Sequence, residues 1–358
     1  MDSKSGHSQA MNERHPPEKP APSVVMVSKL DLRYPPNGPT RQLTVKLPGL
    51  TNFRFPVSLV REIWRARTAS VLFVSIPGSG DLLLLSLIKT IYRERVKTCV
   101  FDLIMREPGS IRERFFAWIK RRLLRSIDVF IFIHRDTIGY ERAYGIPPKK
   151  CVYVPFKANN FDIAPSFVST DGNYALALGT SQRDYHLLIN AVDDLSIRLK
   201  VVAPRANVFA HGTRMGPECL PPNVERIDRP VDRSEWNTLI AQSRFVVIPI
   251  LPGVLQPAGI SVYLEAMMLG KPVVITRGAS TEGILDDSLA LLVPPGDVDA
   301  LRTALVRLWG DSALRAALSE NGKRYALSLG NHERLLTDLR SVIQRECTLS
   351  ISSQLLHP

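Results

Sequence analysis

From Val71 onward the chain repeats one pattern: a short unbroken apolar run, then a longer segment whose apolar positions recur every three to four residues. Unbroken runs suit strands covered on both faces, and the recurring spacing suits helices laid against them. The runs are Val71–Ile76, Thr98–Asp102, Asp128–Ile133 and Cys151–Val154, with helical segments over Asp81–Tyr92, Ile111–Ser126 and Thr137–Tyr144. Alternation of this kind predicts a parallel sheet with right-handed crossovers. It pauses from Phe156 to Asp171, where Asn159, Asn160 and Pro165 sit among serines and threonines. It then resumes with Tyr174–Gly179, Leu199–Ala203, Phe245–Ile250, Val273–Thr276 and Leu289–Val293, interleaved with helices over Tyr185–Val192, Asp232–Gln242 and from Val298 onward.

The expected architecture is therefore α/β, two doubly wound Rossmann-like domains facing a cleft. Residues 1–22 are polar and proline-punctuated and read as a disordered tail, 23–158 as the first domain, 159–172 as a linker, 173–330 as the second domain and 331–358 as a C-terminal helix and tail. Ligands of such sheets lie beyond the carboxyl ends of the strands, which directs attention to the loops after Ile76, Ala177, Ala203 and Ile250.

A length of 358 residues with 45% hydrophobic content supports two cores. Cys99, Cys151, Cys219 and Cys347 are far apart, with no C-x-x-C spacing and no secretory leader, so reduced thiols in the cytoplasm are expected, without a disulfide framework or a metal site. The most apolar segment, Asp81–Ile91, is too short to span a bilayer and carries Lys89. The net charge of +12 favours an anionic partner; the absence of zinc-finger, RNP-type and basic-zipper patterns argues against nucleic acid and leaves phosphorylated substrates or an acidic membrane.

The segment Pro257–Thr276 carries the sharpest chemistry. Gly259 permits close approach of backbone to a ligand, Ser261 is suited to an N-cap, Glu265 follows one turn later, and Gly270 with Pro272 ends the helix before a strand. Backbone amides at Gly259, Ile260 and Ser261 would hold a phosphate at the helix N-terminus. Arg183 follows the strand-ending Gly179 in a loop of small residues and offers a guanidinium fork for phosphate oxygens; the alternative is a surface arginine paired with Asp184. Gly179 and Ser181 fit the same site or ordinary turn chemistry. Tyr263, Met267 and Met268 read as core, Gly296-Asp297 as a turn and cap, and neither His134 nor His186 has a partner in view.

Taken in order, Leu178-Gly-Thr-Ser-Gln-Arg-Asp-Tyr185, Phe245–Pro249, Pro257–Thr276 and Leu292-Val-Pro-Pro-Gly-Asp297 resemble glycosyltransferase family 4, retaining sugar-nucleotide enzymes of the GT-B fold. The likeness covers roughly residues 174–325; the first half shares only its strand-helix order and Pro77-Gly-Ser-Gly-Asp81. Two departures stand out. Gln256 and Pro257 occupy the place of the family's first glutamate, and Gly179-Thr-Ser-Gln-Arg-Asp-Tyr185 replaces its usual Gly-Arg with a downstream lysine, which resembles an Arg-Asp-Tyr variant subgroup.

The resemblance implies transfer of a sugar from a UDP- or GDP-sugar to a glycan or lipid-linked acceptor, as in polysaccharide biosynthesis, without metal or other cofactor. On it, Glu265 and Arg183 are the catalytic candidates, Glu265 by binding the ribose. Gly179, Ser181, Arg183, Pro230, Gly259, Ile260, Ser261 and Glu265 would bind the nucleotide sugar, Pro230 lying in the loop next to the base. Gly78, Ser79 and Gly80 match the acceptor loop. The departures keep open a non-catalytic nucleotide-sugar-binding or assembly protein.

A last feature is the segment Ile111–Ser126, where Phe115, Phe116, Trp118, Ile119, Leu123 and Leu124 alternate with Arg112, Arg114, Lys120, Arg121, Arg122 and Arg125. Either its apolar side packs on the sheet, or the helix touches an anionic membrane peripherally, or both.

Overall fold

The computed structural model describes residues 23–35, 38–203 and 212–354. The tail expected over residues 1–22 lies outside them. The first sheet is assembled from β1 (Ser23–Ser28), β2 (Thr40–Thr44), β3 (Val71–Ser75), β4 (Lys97–Phe101), β5 (Val129–Phe132) and β6 (Cys151–Tyr153). All its pairings are parallel, in the order β2-β1-β3-β4-β5-β6. Helices α1 (Phe55–Arg65), α2 (Ser79–Tyr92), α3 (Ile111–Leu124) and α4 (Ile138–Tyr144) make the intervening connections.

The second sheet contains β7 (Ala175–Leu178), β8 (Leu199–Val202), β9 (Val224–Ile227), β10 (Phe245–Ile248), β11 (Val273–Thr276) and β12 (Leu291–Val293), also parallel, in the order β12-β11-β10-β7-β8-β9. Its helices are α5 (Tyr185–Val192), α6 (Arg233–Ala241), α7 (Ile260–Met268), α8 (Val298–Gly310) and α9 (Ser312–Ser328), and α10 (His332–Gln354) follows. Strands β3, β4, β5, β7, β10 and β11 are apolar and buried on both faces, as their unbroken runs require. The helix α10 returns to the first sheet, where Arg340 donates to the carbonyls of Leu32 and Arg33 at 2.9 and 3.0 Å.

Topology fixes where a ligand can sit. After β7 the chain moves one way across the second sheet, through β8 and β9; it then returns to β10 on the other side of β7 and moves the opposite way. The loops after β7 and β10 therefore diverge and leave a crevice between them. The equivalent reversal in the first sheet falls between β1 and β3.

Candidate functional site

Two loops close on that crevice. The loop after β7 turns at Gly179, whose φ of 108° lies in the region glycine tolerates best, and a side chain there would meet Nη2 of Arg183 at 2.6 Å. The absence of a Cβ is what lets the guanidinium lie against the backbone. Arg183 is then locked from all sides: its amide donates to Oγ1 of Thr213 at 3.1 Å, Nε to the carbonyl of Leu178 at 3.3 Å, and Nη1 to the carbonyl of Ser181 at 2.7 Å. Asp184 is not its counter-ion; that carboxylate caps α5 by accepting from the amide of Leu187 at 3.0 Å. The surface-pair alternative fails, because Arg183 is only 2% exposed and has no carboxylate partner among the described residues.

Burial lowers the pKa of Arg183 from its ordinary value, the direction expected when a cation is desolvated. A buried charge without a protein counter-charge is costly. Its position in the cleft wall gives that cost a meaning: an anionic ligand would supply the missing charge.

The other side of the crevice is the start of α7. Gly259 takes φ 97°, and the helix begins at Ile260 without a side-chain cap and without an acid in its first turn. Ser261, expected as the N-cap, is inside the helix, because the glycine makes the turn one step earlier. The first-turn amides are left for a ligand. Gly259→Ala is expected to cost ~1–3 kcal/mol, since it strains a left-handed position and brings Cβ to 3.0 Å from Cγ2 of Ile248. Urea unfolding measures this, and an unchanged midpoint would refute it.

Gly179, Ser181, Arg183, Gly259, Ile260 and Ser261 thus line one cleft of about 280 Å³. Gln256 joins them and donates from Nε2 to Oγ of Ser181 at 3.3 Å. The opposite wall belongs to the first sheet's loops, through Asp102, Ile104, Ile133 and Phe156.

Asp102 was not singled out in the sequence. It follows the last residue of β4 in a left-handed conformation, φ 52°, and its Oδ1 is buried without a hydrogen-bond partner among the described residues. A left-handed backbone and an orphaned oxygen in one residue at a cleft make Asp102 a candidate for function. Burial raises its carboxyl pKa to about 6. An acid one residue beyond a parallel strand was the available signal. His134, nearby in sequence to β5, is enclosed by the rings of Phe132 and Tyr140, and burial lowers its pKa to about 4, so it is neutral and does not line this cleft.

The remaining candidates lie elsewhere. Glu265 is buried, but not in the cleft lining: Oε1 accepts from Nη2 of Arg233 at 2.7 Å and Oε2 from Nε1 of Trp236 at 2.8 Å, tying α7 to α6. Each oxygen keeps one lone pair. Pro230 stands in the exposed turn before α6, next to Arg229, which pairs with Glu235. Gly78, Ser79 and Gly80 open α2 beyond β3, with Oδ2 of Asp81 accepting from the amide of Gly78 at 2.8 Å and from Nζ of Lys29 at 3.0 Å. Ser79 lines a neighbouring groove with Ile104, which also borders the cleft.

Two parallel sheets with a site at the crevice between them define the GT-B fold, and the comparisons agree. Residues 177–311 match the family model of Glycosyl transferases group 1. No curated protein matches the sequence. Among solved structures, a glycosyltransferase from Rickettsia africae is 10% identical, covers 92% of this chain and 99% of its own, and has a TM-score of 0.62. Sucrose-phosphate synthase from Thermosynechococcus elongatus is 14% identical over 90% of this chain and 98% of its own, at 0.61. HepE from Anabaena, solved with UDP-glucose, is 14% identical over 92% and 99%, at 0.60.

Proposed function

We propose that this chain is a glycosyltransferase that moves a sugar from a UDP-sugar to a glycan or lipid-linked acceptor with retention at the anomeric carbon. The observation that carries the reading is the convergence of a buried, uncompensated guanidinium, Arg183, and the uncapped N-terminus of α7 on one cleft. In the transfer the bond from the anomeric carbon to the β-phosphate oxygen breaks, a bond to the acceptor hydroxyl forms on the same face, and the hydroxyl proton leaves. Negative charge grows on the departing diphosphate, which Arg183 and the amides of Ile260 and Ser261 would stabilise where another enzyme uses a divalent cation.

Residues 173–330 would hold the donor and 23–158 the acceptor, joined by 159–172, with Gly78–Gly80 on the acceptor side. Asp102, on the facing wall, is the carboxyl suited to take the acceptor's proton. Glu265 would bind the ribose through its free lone pairs, and Pro230 would border the base. The match of residues 177–311 to Glycosyl transferases group 1 supports the reaction class, and the UDP complexes of HepE favour uridine over guanosine. No helix among the described residues is long and apolar enough to cross a membrane. Arg112, Arg114, Lys120, Arg121, Arg122 and Arg125 on and after α3 support peripheral contact with an anionic membrane at its cytoplasmic face.

A thermal-shift series with UDP, GDP and ADP tests the donor. Ligand at about 100 times its Kd stabilises by ~2.7 kcal/mol, so UDP should raise the melting temperature by several degrees and the other two by less. Equal shifts, or none with UDP, would refute the assignment.

A further inference from the structure

Two helices of the layer outside the first sheet, α1 and α3, leave apolar stripes exposed, whereas α2 between them buries Leu82, Leu84, Leu85 and Ile88. In α1 and the turn before it, Phe53, Val57, Val60 and Trp64 recur at i, i+4, i+7 and i+11, the spacing of a core-facing stripe. Yet these residues are 84%, 74%, 67% and 59% exposed, while the face turned inward buries Phe55 and Glu62 and packs Leu59 and Ile63 against the core, Glu62 pairing with Arg61 and Arg65. Helix α3 repeats the arrangement: Ile111, Phe115 and Trp118 form an exposed stripe, Phe116 and Ile119 flank it, and only Ala117 and Leu124 are buried. The apolar side of α3 is therefore divided: Leu124 and, partly, Leu123 pack toward the sheet, while Ile111, Phe115, Phe116, Trp118 and Ile119 stay exposed.

Both helices lie on the same side of the sheet. The connections β2-α1-β3, β3-α2-β4 and β4-α3-β5 all advance in one direction, and right-handed crossovers put their helices in one layer, with α2 packed between α1 and α3. Each helix starts beyond the carboxyl end of a strand, so the most exposed residues, Phe53 and Ile111, stand at the cleft edge of the layer. Arginines surround the exposed rings: Arg67 lies 3.4 Å from the Trp64 ring centroid, Arg54 5.3 Å from Phe53, and Arg122 4.2 Å from Trp118.

We infer that α1 and α3 together form one face that seats the protein on an anionic bilayer, with the cleft edge toward the lipid head groups. This rests on the α3 contact proposed above and extends it to a helix that the sequence had not marked. Charge complementarity selects the occupant. A second copy of the chain would bring like charges together, and an RNA strand would stack on the aromatic rings but leave Val57, Val60, Ile111 and Ile119 without apolar cover. A bilayer interface takes the aliphatic side chains into its acyl boundary and the arginines among its phosphates.

Flotation of the full chain with phosphatidylcholine vesicles, with and without phosphatidylglycerol, tests it. Binding should require the anionic lipid and weaken with salt. Val60→Ser with Trp64→Ser on α1, and Phe115→Ser with Trp118→Ser on α3, should each lower partition about tenfold or more. Each of Arg67→Gln and Arg122→Gln should lower it about fivefold. Melting temperature and the UDP-induced shift should stay unchanged, because these side chains are exposed and none of them lines the cleft. Loss with the α3 pair alone would overturn the two-helix face and leave the α3 contact standing. Absence of binding to anionic vesicles would overturn both, and preferential capture of RNA lost in the same variants would reassign the face to nucleic acid. None of these results bears on donor binding.

Discussion

Arg183→Met should leave a protein that folds at least as well as the parent but binds UDP about 30-fold more weakly or worse. The two effects come from one fact. In the free protein the guanidinium is buried and held by the carbonyls of Leu178 and Ser181, with no carboxylate to neutralise it among the described residues. Removing a desolvated, unpaired cation and leaving an unbranched apolar side chain costs little and can stabilise. In the complex the same cation faces a diphosphate, and truncating one partner of a buried, hydrogen-bonded charge pair costs ~2–5 kcal/mol, the source of the 30-fold lower bound. The measurement is a pair of melting curves, with and without UDP. An intact UDP shift in the variant would place the phosphates elsewhere in the cleft. A collapse of the free protein would instead mean that the guanidinium's carbonyl contacts hold the β7–α5 loop together, and Arg183→Lys then separates the roles, keeping the charge while losing the fork.

The contrast between Arg183 and Glu265 explains what sequence could and could not convey. Both were expected to bind the nucleotide sugar, and both are buried. Arg183 makes its contacts within its own loop, to the carbonyls of Leu178 and Ser181, yet the loop's sequence left a surface pair with Asp184 open. Glu265 depends on Arg233 and Trp236, some thirty residues earlier, and no local pattern announces that pairing. Most central strands were legible because, buried on both faces, they are continuous apolar runs; β1, Ser23–Ser28, is such a run too but precedes the alternation that begins at Val71 and was missed.

Two of the four edge strands lack that signature, whereas β6 and β12 fall in the apolar runs Cys151–Val154 and Leu289–Val293. β2, Thr40-Arg-Gln-Leu-Thr44, and β9, Val224-Glu-Arg-Ile227, each pair on one side only and carry polar residues outward, so neither stood out. Helix α1 was hidden differently, its apolar stripe pointing away from the core. Asp102 was visible only as the end of a strand run; its left-handed backbone and orphaned oxygen are properties of the folded chain.

That residue yields the second large effect. Asp102→Asn should reduce turnover of a UDP-sugar by about 100-fold or more, the usual contribution of a positioned general base, and should at the same time stabilise the protein at neutral pH. The sign follows from the carboxyl's raised pKa of about 6, caused by burial. In the unfolded chain an aspartate titrates near its ordinary value of about 4. Between these values the native state holds a proton that the unfolded state has released, so stability falls as pH rises from about 4 to about 6 and stays lower above that. Asparagine removes this penalty. The variant should match the parent at pH 4 and exceed it at pH 8 by ~1–2 kcal/mol, less than the full shift implies because the residue is partly open to the cleft.

Activity should follow the opposite course. The parent's rate should fall on the acid side with a midpoint near pH 6, as the carboxylate takes up a proton and can no longer accept one from the acceptor hydroxyl; the variant's residual rate should lack that limb. Denaturation at the two pH values and UDP release across the pH range separate the possibilities. Unchanged turnover with the stability difference intact would make Asp102 a strained structural residue. A variant that is both less stable and less active at pH 8 would show that the buried oxygen has a partner in solution. Greater stability joined to lost turnover is expected only if the fold tolerates an unsatisfied carboxyl at the end of β4 because the reaction across the cleft uses it.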